Sequence, residues 1–325
     1  MTGPVRIAGA GLAGLACGYE LARRGMDVIL YERNEPAEAG GVARFAGGML
    51  APWCEAESAD AQVIALGAGA ADWWERVTPV TRRGTLVLAP ARDRAELDRF
   101  ARRSTNHRRL RAPEIAELEP ALAGRFESGL HFGAEAHLHP RNALADLAAA
   151  VIGLGGEIRY GTAAPPRVDL DCTGVAAALP DLRPVRGEMA LLDCPEVQLS
   201  RTIRLLHPRI PVYLVPRGAG IYMIGATMIE SGSTRPASLR SLVEMLSAAF
   251  TLDPGFAEAA VIETGTGLRP AFPDNLPRIV QRDRTWHLNG LYRHGFLLAP
   301  AMATAFARNF LQEDRHEDHC ERRTA

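Results

Sequence analysis

The apolar run Val5 to Ala8 reads as a buried strand, and Gly9-x-Gly11-x-x-Gly14 follows it directly. Leu12, Leu15, Ala16, Tyr19 and Leu21-Ala22 then recur near helical spacing, with Gly25 as the stop, and Asp27 to Tyr31 predicts a second strand. Further along, the pattern predicts a helix around Trp73-Trp74-Glu75, a strand over Thr81 to Leu88, a helix over Arg92 to Arg103 and strand again within Pro120 to Phe132. His137-Leu138-His139-Pro140 reads as a loop before a helix from Arg141 to Leu154, and strands follow at Gly155 to Tyr160, Val168 to Gly174 and Ala190 to Asp193. Pro211 to Arg217 and Gly220 to Met228 alternate like a hairpin, Ala237 to Phe250 is amphipathic, and the last unit is a strand over Thr285 to Leu288, a loop and a helix over Leu298 to Leu311.

Strand, glycines, helix and second strand together form a dinucleotide-binding βαβ unit. Gly9 permits the tight turn, Gly11 lets backbone approach a pyrophosphate, and Gly14 lets the helix pack closely. Phosphates then rest on the free N–H groups at the positive end of the helix. Glu32 closes the second strand about 20 residues on, where a carboxylate accepts from a ribose hydroxyl and repels a 2′-phosphate. At this point both NAD and FAD remain open. The small-residue stretch Ala43 to Pro52, with Ala46-Gly47-Gly48-Met49-Leu50, would let backbone lie against something large and flat, or else marks a tightly packed helix start.

The length of 325 residues with 47% hydrophobic content allows about two domains. A net charge of −1 argues against nucleic acid as a partner, so Arg102 to Arg111 reads as a solvated basic face. The chain has no lysine, which removes Schiff-base chemistry and the P-loop lysine together, and leaves arginine to grip any carboxylate. Five cysteines without a paired spacing suit free thiols, and no span or signal pattern stands out, so a cytoplasmic protein off the membrane is expected. No metal site is expected.

Five ordered motifs follow the fingerprint: Ala46-Gly47-Gly48-Met49-Leu50-Ala51-Pro52, Val185-Arg186-Gly187-Glu188, Val215-Pro216-Arg217 with Gly225-Ala226-Thr227-Met228, Gly267-Leu268-Arg269-Pro270, and Gly290 to Pro300. With them the chain, from about Val5 to Leu311, resembles the glycine oxidases of the D-amino-acid oxidase family of FAD flavoproteins, above all the thiamine-biosynthetic oxidases of bacteria. The resemblance implies FAD, with Leu12-Ala13 on the pyrophosphate, Glu32-Arg33 at the adenosine ribose and Ala163 near the adenine. It places Val42-Ala43, Gly47-Gly48-Met49 and Gly174 along the cofactor, with Leu291, Tyr292, Arg293, His294, Gly295, Phe296 and Leu297 closing over the flavin. It assigns the substrate carboxylate to Arg269 and Arg293, and the pocket walls to Tyr213, Met228 and Met49.

The fold class so implied is α/β: a Rossmann-like FAD-binding domain of discontinuous segments with a second α+β substrate domain carrying a mostly antiparallel sheet. The expected bounds are 1–72, 137–186 and 285–312 for the nucleotide domain, 73–136 and 187–284 for the substrate domain, and a disordered tail at 313–325. The implied reaction takes a small amino acid and dioxygen, glycine giving iminoacetate and hydrogen peroxide by hydride transfer without an acid–base residue. A homo-oligomer and hand-off to a thiazole synthase are also expected. Sarcosine or a D-amino acid as substrate, and an FAD-binding assembly protein without catalysis, stay open as alternatives.

Overall fold

The computed structural model describes residues 3–36, 41–206 and 212–324, with side chains as far as 312. Pro211, the expected start of the hairpin, lies outside the described residues. Two large sheets share the chain. The first has six strands in the order Arg278–Arg282, Thr285–Asn289, Leu170–Asp171, Val5–Ala8, Val28–Tyr31 and Glu157–Arg159. Every neighbouring pair is parallel except the first. The helix Leu12–Ala22 crosses over between Val5–Ala8 and Val28–Tyr31, and all of its residues but Ala13 are buried, because it lies between this sheet and the helices Pro140–Gly153 and Gly295–Thr324.

That burial has an electrostatic cost which the sequence meets locally. Glu20 is fully buried on this helix, where Trp73 Nε1 donates to Oε1 at 2.6 Å and Arg24 and Arg23 pair with Oε2. Burial pushes the Glu20 carboxyl up, but the bonds from Arg24 and Trp73 outweigh it and hold the carboxyl below its ordinary range. The two arginines therefore neutralise a core carboxylate in addition to facing the helix C-terminus. Gly25, at φ +84°, ends the turn.

The second sheet has nine strands, eight of them in the order Ile229–Glu230, Arg183–Asp193, Ile221–Gly225, Val212–Gly218, Thr202–Leu205, Thr85–Leu88, Ser128–Phe132 and Arg108–Arg111. It is antiparallel apart from Thr85–Leu88 against Thr202–Leu205. The ninth strand, Ala260–Ala271, pairs along the whole length of Arg183–Asp193. The helix Leu239–Leu252 covers one face of this sheet with Met245, Ala248, Ala249 and Leu252.

Several elements differ from expectation. Ala260–Ala271 went unread because Thr264-Gly265-Thr266-Gly267 lacks the apolar alternation that marks a strand. Pro120–Leu122 is a 3₁₀ turn, and only Ser128–Phe132 is strand. Arg108–Arg111 is an edge strand; it buries Leu110 while its arginines stay exposed, Arg108 pairing with Glu114 and Arg109 with Asp98. His137 belongs to the short strand Ala136–His137 against Met49–Leu50, and His139 Nδ1 caps the next helix by accepting from Asn142 N at 3.3 Å. Arg278–Arg282 joins the six-stranded sheet although the expected boundary stood at 284. The last helix runs to Thr324 through the expected tail, with no glycine or proline between Gln312 and Thr324 to stop it.

Candidate active site

The fingerprint glycines sit where backbone crowds backbone. A Cβ on Gly14 would lie 1.9 Å from Gly9 O, and one on Gly9, at φ +88°, would lie 2.9 Å from Cys172 O. Gly11 is different: no heavy atom comes within 4 Å of its missing Cβ, and no side chain caps the helix it begins. The first N–H groups of that helix therefore face open space beside a glycine, as a pyrophosphate requires. A second helix start meets it there, since a Cβ on Gly295 would lie 3.0 Å from Leu12 Cδ2. Two positive helix ends thus converge on one place.

Glu32 is buried and rigidly oriented. Its Oε2 accepts from Ala10 N at 3.1 Å, and its Oε1 accepts from Asn34 N and Nδ2 at 3.0 and 2.9 Å. Oε1 thus already accepts twice, and Oε2 keeps a lone pair for a ribose hydroxyl. Thr162 N donates to Glu32 O at 2.9 Å, which sets the exposed Ala163 beside Glu32 and the exposed Arg33.

Val42 and Ala43 lie in the 3₁₀ turn Gly41–Phe45, which packs on the strand Ala260–Ala271. Strand alternation puts Gly265, Gly267 and Arg269 on one face. The two glycines admit the turn, since Cβ atoms there would lie 2.4 Å from Phe45 Cδ1 and from Val42 Cγ2. Gly48, at φ +70°, presses on Leu138 O, 2.3 Å from its would-be Cβ. Arg217 clamps both sides of this bend, donating to Leu138 O and Ala46 O at 2.9 Å each. Burial, with Arg141 adding to it, lowers the Arg217 guanidinium to about 9. The motif Val215-Pro216-Arg217 was visible in the sequence, but not this role.

The loop after Thr285–Asn289 is tied to the same region. Asn289 Nδ2 donates to Gly174 O at 2.9 Å, and Tyr292 N donates to Pro270 O at 3.0 Å, next to Arg269. Arg269 Nη1 donates to Thr227 O at 2.9 Å, and among the described residues no carboxylate pairs with it. Burial accordingly pushes its guanidinium below the ordinary arginine value. Its position depends on Gly187, two residues beyond its direct ladder partner Val185; a Cβ on Gly187 would lie 2.2 Å from Arg269 Nη2. The Gly187→Ala protein should fold, because Gly187 is not among the positive-φ residues, yet bind a carboxylate substrate about tenfold or more weakly as the guanidinium is displaced. Steady-state KM checks this, and an unchanged value would separate Gly187 from the site.

Arg293, in contrast, is already paired. Its Nη2 lies 2.6 Å from Glu55 Oε2 and 2.9 Å from Ser58 Oγ, and Nη1 donates to Tyr213 OH at 3.3 Å. Met228 sulfur accepts from Tyr292 OH at 3.4 Å and stands 3.9 Å from Arg293 Nη1. Met49 packs with Tyr213 around Met189, Val215 and Met223. The five residues expected around the substrate thus gather in one place, some from strands and some from loops far apart in sequence. A cavity of about 410 Å³ opens beside them, lined by Met228, Tyr292, Arg293 and Arg204.

Glu55 was not legible beforehand. Burial pushes its carboxyl up, but Arg293, the hydrogen bond from His294 at 3.0 Å and Arg204 at 3.7 Å together hold it far below the usual carboxylate range. Nearby Glu135 makes no ion pair among the described residues, and Arg204 acts on it only weakly. Burial outweighs the bond from Cys54 N and raises its carboxyl to about 8 from an ordinary 4.5. Folding therefore retains a proton that the unfolded chain gives up, and stability should fall as pH rises from about 4.5 through about 8. The Glu135→Gln protein should melt above wild type at pH 8, with the gap closing toward pH 5. Parallel melting curves at both pH values would contradict this.

A family model of the FAD dependent oxidoreductases matches residues 5–309. The chain belongs to that family. This FAD-dependent oxidoreductase is 54% identical over 317 residues to the putative thiamine biosynthesis oxidoreductase ThiO of Rhizobium etli, covering 95% of this chain and 97% of the relative. It is 27% identical to the bifunctional protein ThiO/ThiG of Trichormus variabilis, covering 98% of this chain and 54% of that longer one. The glycine oxidase of Geobacillus kaustophilus is 26% identical, with 91% and 89% covered, and the crystal structure of glycine oxidase from that organism matches with a TM-score of 0.78 over 92% of each chain at 23% identity.

FAD is the cofactor of the family, and this oxidoreductase has room for its pyrophosphate where Gly11 opens toward the meeting helix starts. Among the described residues no helix is long and apolar enough to cross a membrane, and no group of three or more His, Cys, Asp and Glu side chains forms a metal site.

Proposed function

We propose that this oxidoreductase oxidises glycine to iminoacetate, with dioxygen reduced to hydrogen peroxide, and supplies the glycine-derived unit of the thiamine thiazole. The observation that carries this reading is Arg269, a half-buried guanidinium bonded only to a backbone carbonyl among the described residues and close to Tyr213. A substrate carboxylate would complete its charge and hydrogen bonds. FAD held there would supply the acceptor for the substrate hydride and the route of two electrons to dioxygen.

The protein's share is position. Arg269 would hold the carboxylate, Tyr213 would face the substrate while Arg293 Nη1 fixes its hydroxyl, and Met49 and Met228 would limit the substituent on Cα. We further assign Gly9, Gly11, Leu12, Ala13, Gly14, Glu32, Arg33 and Ala163 to the dinucleotide, and Val42, Ala43, Gly47, Gly48, Gly174 and residues 291–297 to the flavin end. The names of the Rhizobium etli and Geobacillus kaustophilus relatives support the reading. The fused ThiO/ThiG relative supports hand-off of the imine to a thiazole synthase, and a cytoplasmic homo-oligomer completes the proposal.

Anaerobic addition of glycine to the yellow protein tests it: bleaching of the oxidised flavin band is expected, and persistence of that band would remove the assignment. A second reading is sarcosine or a small D-amino acid, for whose added methyl group the cavity opening at Met228 and Arg293 leaves room. Relative rates of bleaching separate the two.

A further inference from the structure

Three arginines surround the substrate position, and their charges are not equally available. Arg293 is bound to Glu55 at 2.6 Å. Arg204 lies 3.7 Å from Glu55 Oε1 and 3.5 Å from Glu57 Oε2. Glu55 and Glu57 thus take up the charge of both arginines, Glu57 being shared with the exposed Arg103 at 3.7 Å. Arg269 alone remains, with Thr227 O as its bonded acceptor. Glu55, moreover, is 8% exposed at its side chain, and the cost of burying its carboxylate is offset by Arg293, His294 and Arg204. A buried carboxylate kept at such a place calls for a reason in recognition.

We propose that Glu55 is a specificity-determining residue: by neutralising Arg293 it leaves one guanidinium for substrate, so the site accepts amines bearing one carboxylate and refuses those bearing two. This rests on the reading of Arg269 as the carboxylate partner. An amine with a second carboxylate, such as N-(carboxymethyl)glycine, would direct that group toward Arg293, the nearest remaining arginine of the cavity. There it meets a guanidinium whose bonds are taken by Glu55, Ser58 and Tyr213, with the Glu55 charge directly behind. Repulsion from a fixed like charge in a site of low dielectric discriminates more strongly than the loss of an attraction.

Glu55→Gln removes the charge while its amide oxygen can still accept from Arg293. Anaerobic flavin reduction by glycine and by N-(carboxymethyl)glycine reads the effect. The wild-type protein should favour glycine by about 100-fold or more in kcat/KM, and E55Q should shrink that ratio at least about tenfold through a lower KM for the dicarboxylate.

Arg293→Gln supplies a second reading should E55Q fold poorly. With Arg293 gone the bare Glu55 carboxylate faces the substrate carboxylate, so KM for glycine rises about tenfold or more. The neutral pair E55Q/R293Q should bring that KM back toward wild type, and should lose the dicarboxylate gain of E55Q. A glycine-to-dicarboxylate ratio unchanged in E55Q, or a double variant no better for glycine than R293Q, would overturn the proposal. Wild-type flavin that glycine leaves oxidised would instead overturn the functional reading on which it rests.

Discussion

Replacing Arg269 by alanine should raise KM for glycine by about 100- to 1000-fold, or about 3–4 kcal/mol in transition-state binding, because a substrate carboxylate then enters a buried site with no cation to receive it. Arg293 cannot substitute, since Glu55 holds it at 2.6 Å. Flavin content should be unchanged, as Arg269 is assigned to the substrate carboxylate and not to the cofactor. The melting temperature should not fall either: burial already lowers the Arg269 guanidinium, so removing it relieves an unpaired buried charge. Arg269→Lys should recover only part of the loss, because an ammonium offers a point charge where the guanidinium offers a fork. An R269A enzyme with the wild-type KM would show that the carboxylate is held elsewhere.

Gly14→Ala should cost the protein its flavin. The added methyl would stand 1.9 Å from Gly9 O and 3.5 Å from Cys172 Cβ, so helix and turn must separate. The converging N–H groups at Gly11 to Ala13 would then lose their aim. FAD affinity should fall about tenfold or more, the protein purifying pale, with absorbance at the flavin band against total protein as the measure. Gly11→Ala should be milder for folding, since nothing lies within 4 Å of that Cβ, and should act on FAD binding alone. A fully yellow Gly14→Ala protein would mean that the turn tolerates the shift.

Much of the nucleotide end was legible because its determinants are local. Val5–Ala8, the glycines, the helix Leu12–Ala22, Val28–Tyr31 and Glu32 follow one another within a single unit, so spacing alone reports geometry. The hairpin Val212–Gly218 with Ile221–Gly225 and the helix Leu239–Leu252 were readable for the same reason. The strand Ala260–Ala271 was not. Its Gly265 and Gly267 are selected by the approach of Val42 and Phe45, more than 200 residues earlier, and a single chain of letters carries no mark of that contact. Gly187 is silent in the same way, being small because Arg269 needs the space.

The roles of the charged residues divide similarly. Arg269 and Arg293 stood out in the sequence through their motifs, yet as equals. What separates them is Glu55, which lies 238 positions before Arg293 and just past the motif that ends at Pro52, in no motif of its own. The sequence by itself determined the dinucleotide unit, the absence of lysine and hence the arginine chemistry, and the split between a parallel and a largely antiparallel sheet. Only the tertiary structure decided which guanidinium is free, because electrostatic pairing depends on distance in space, and folding brings Glu55, Arg204 and Arg293 within 4 Å contacts while leaving Arg269 with a carbonyl.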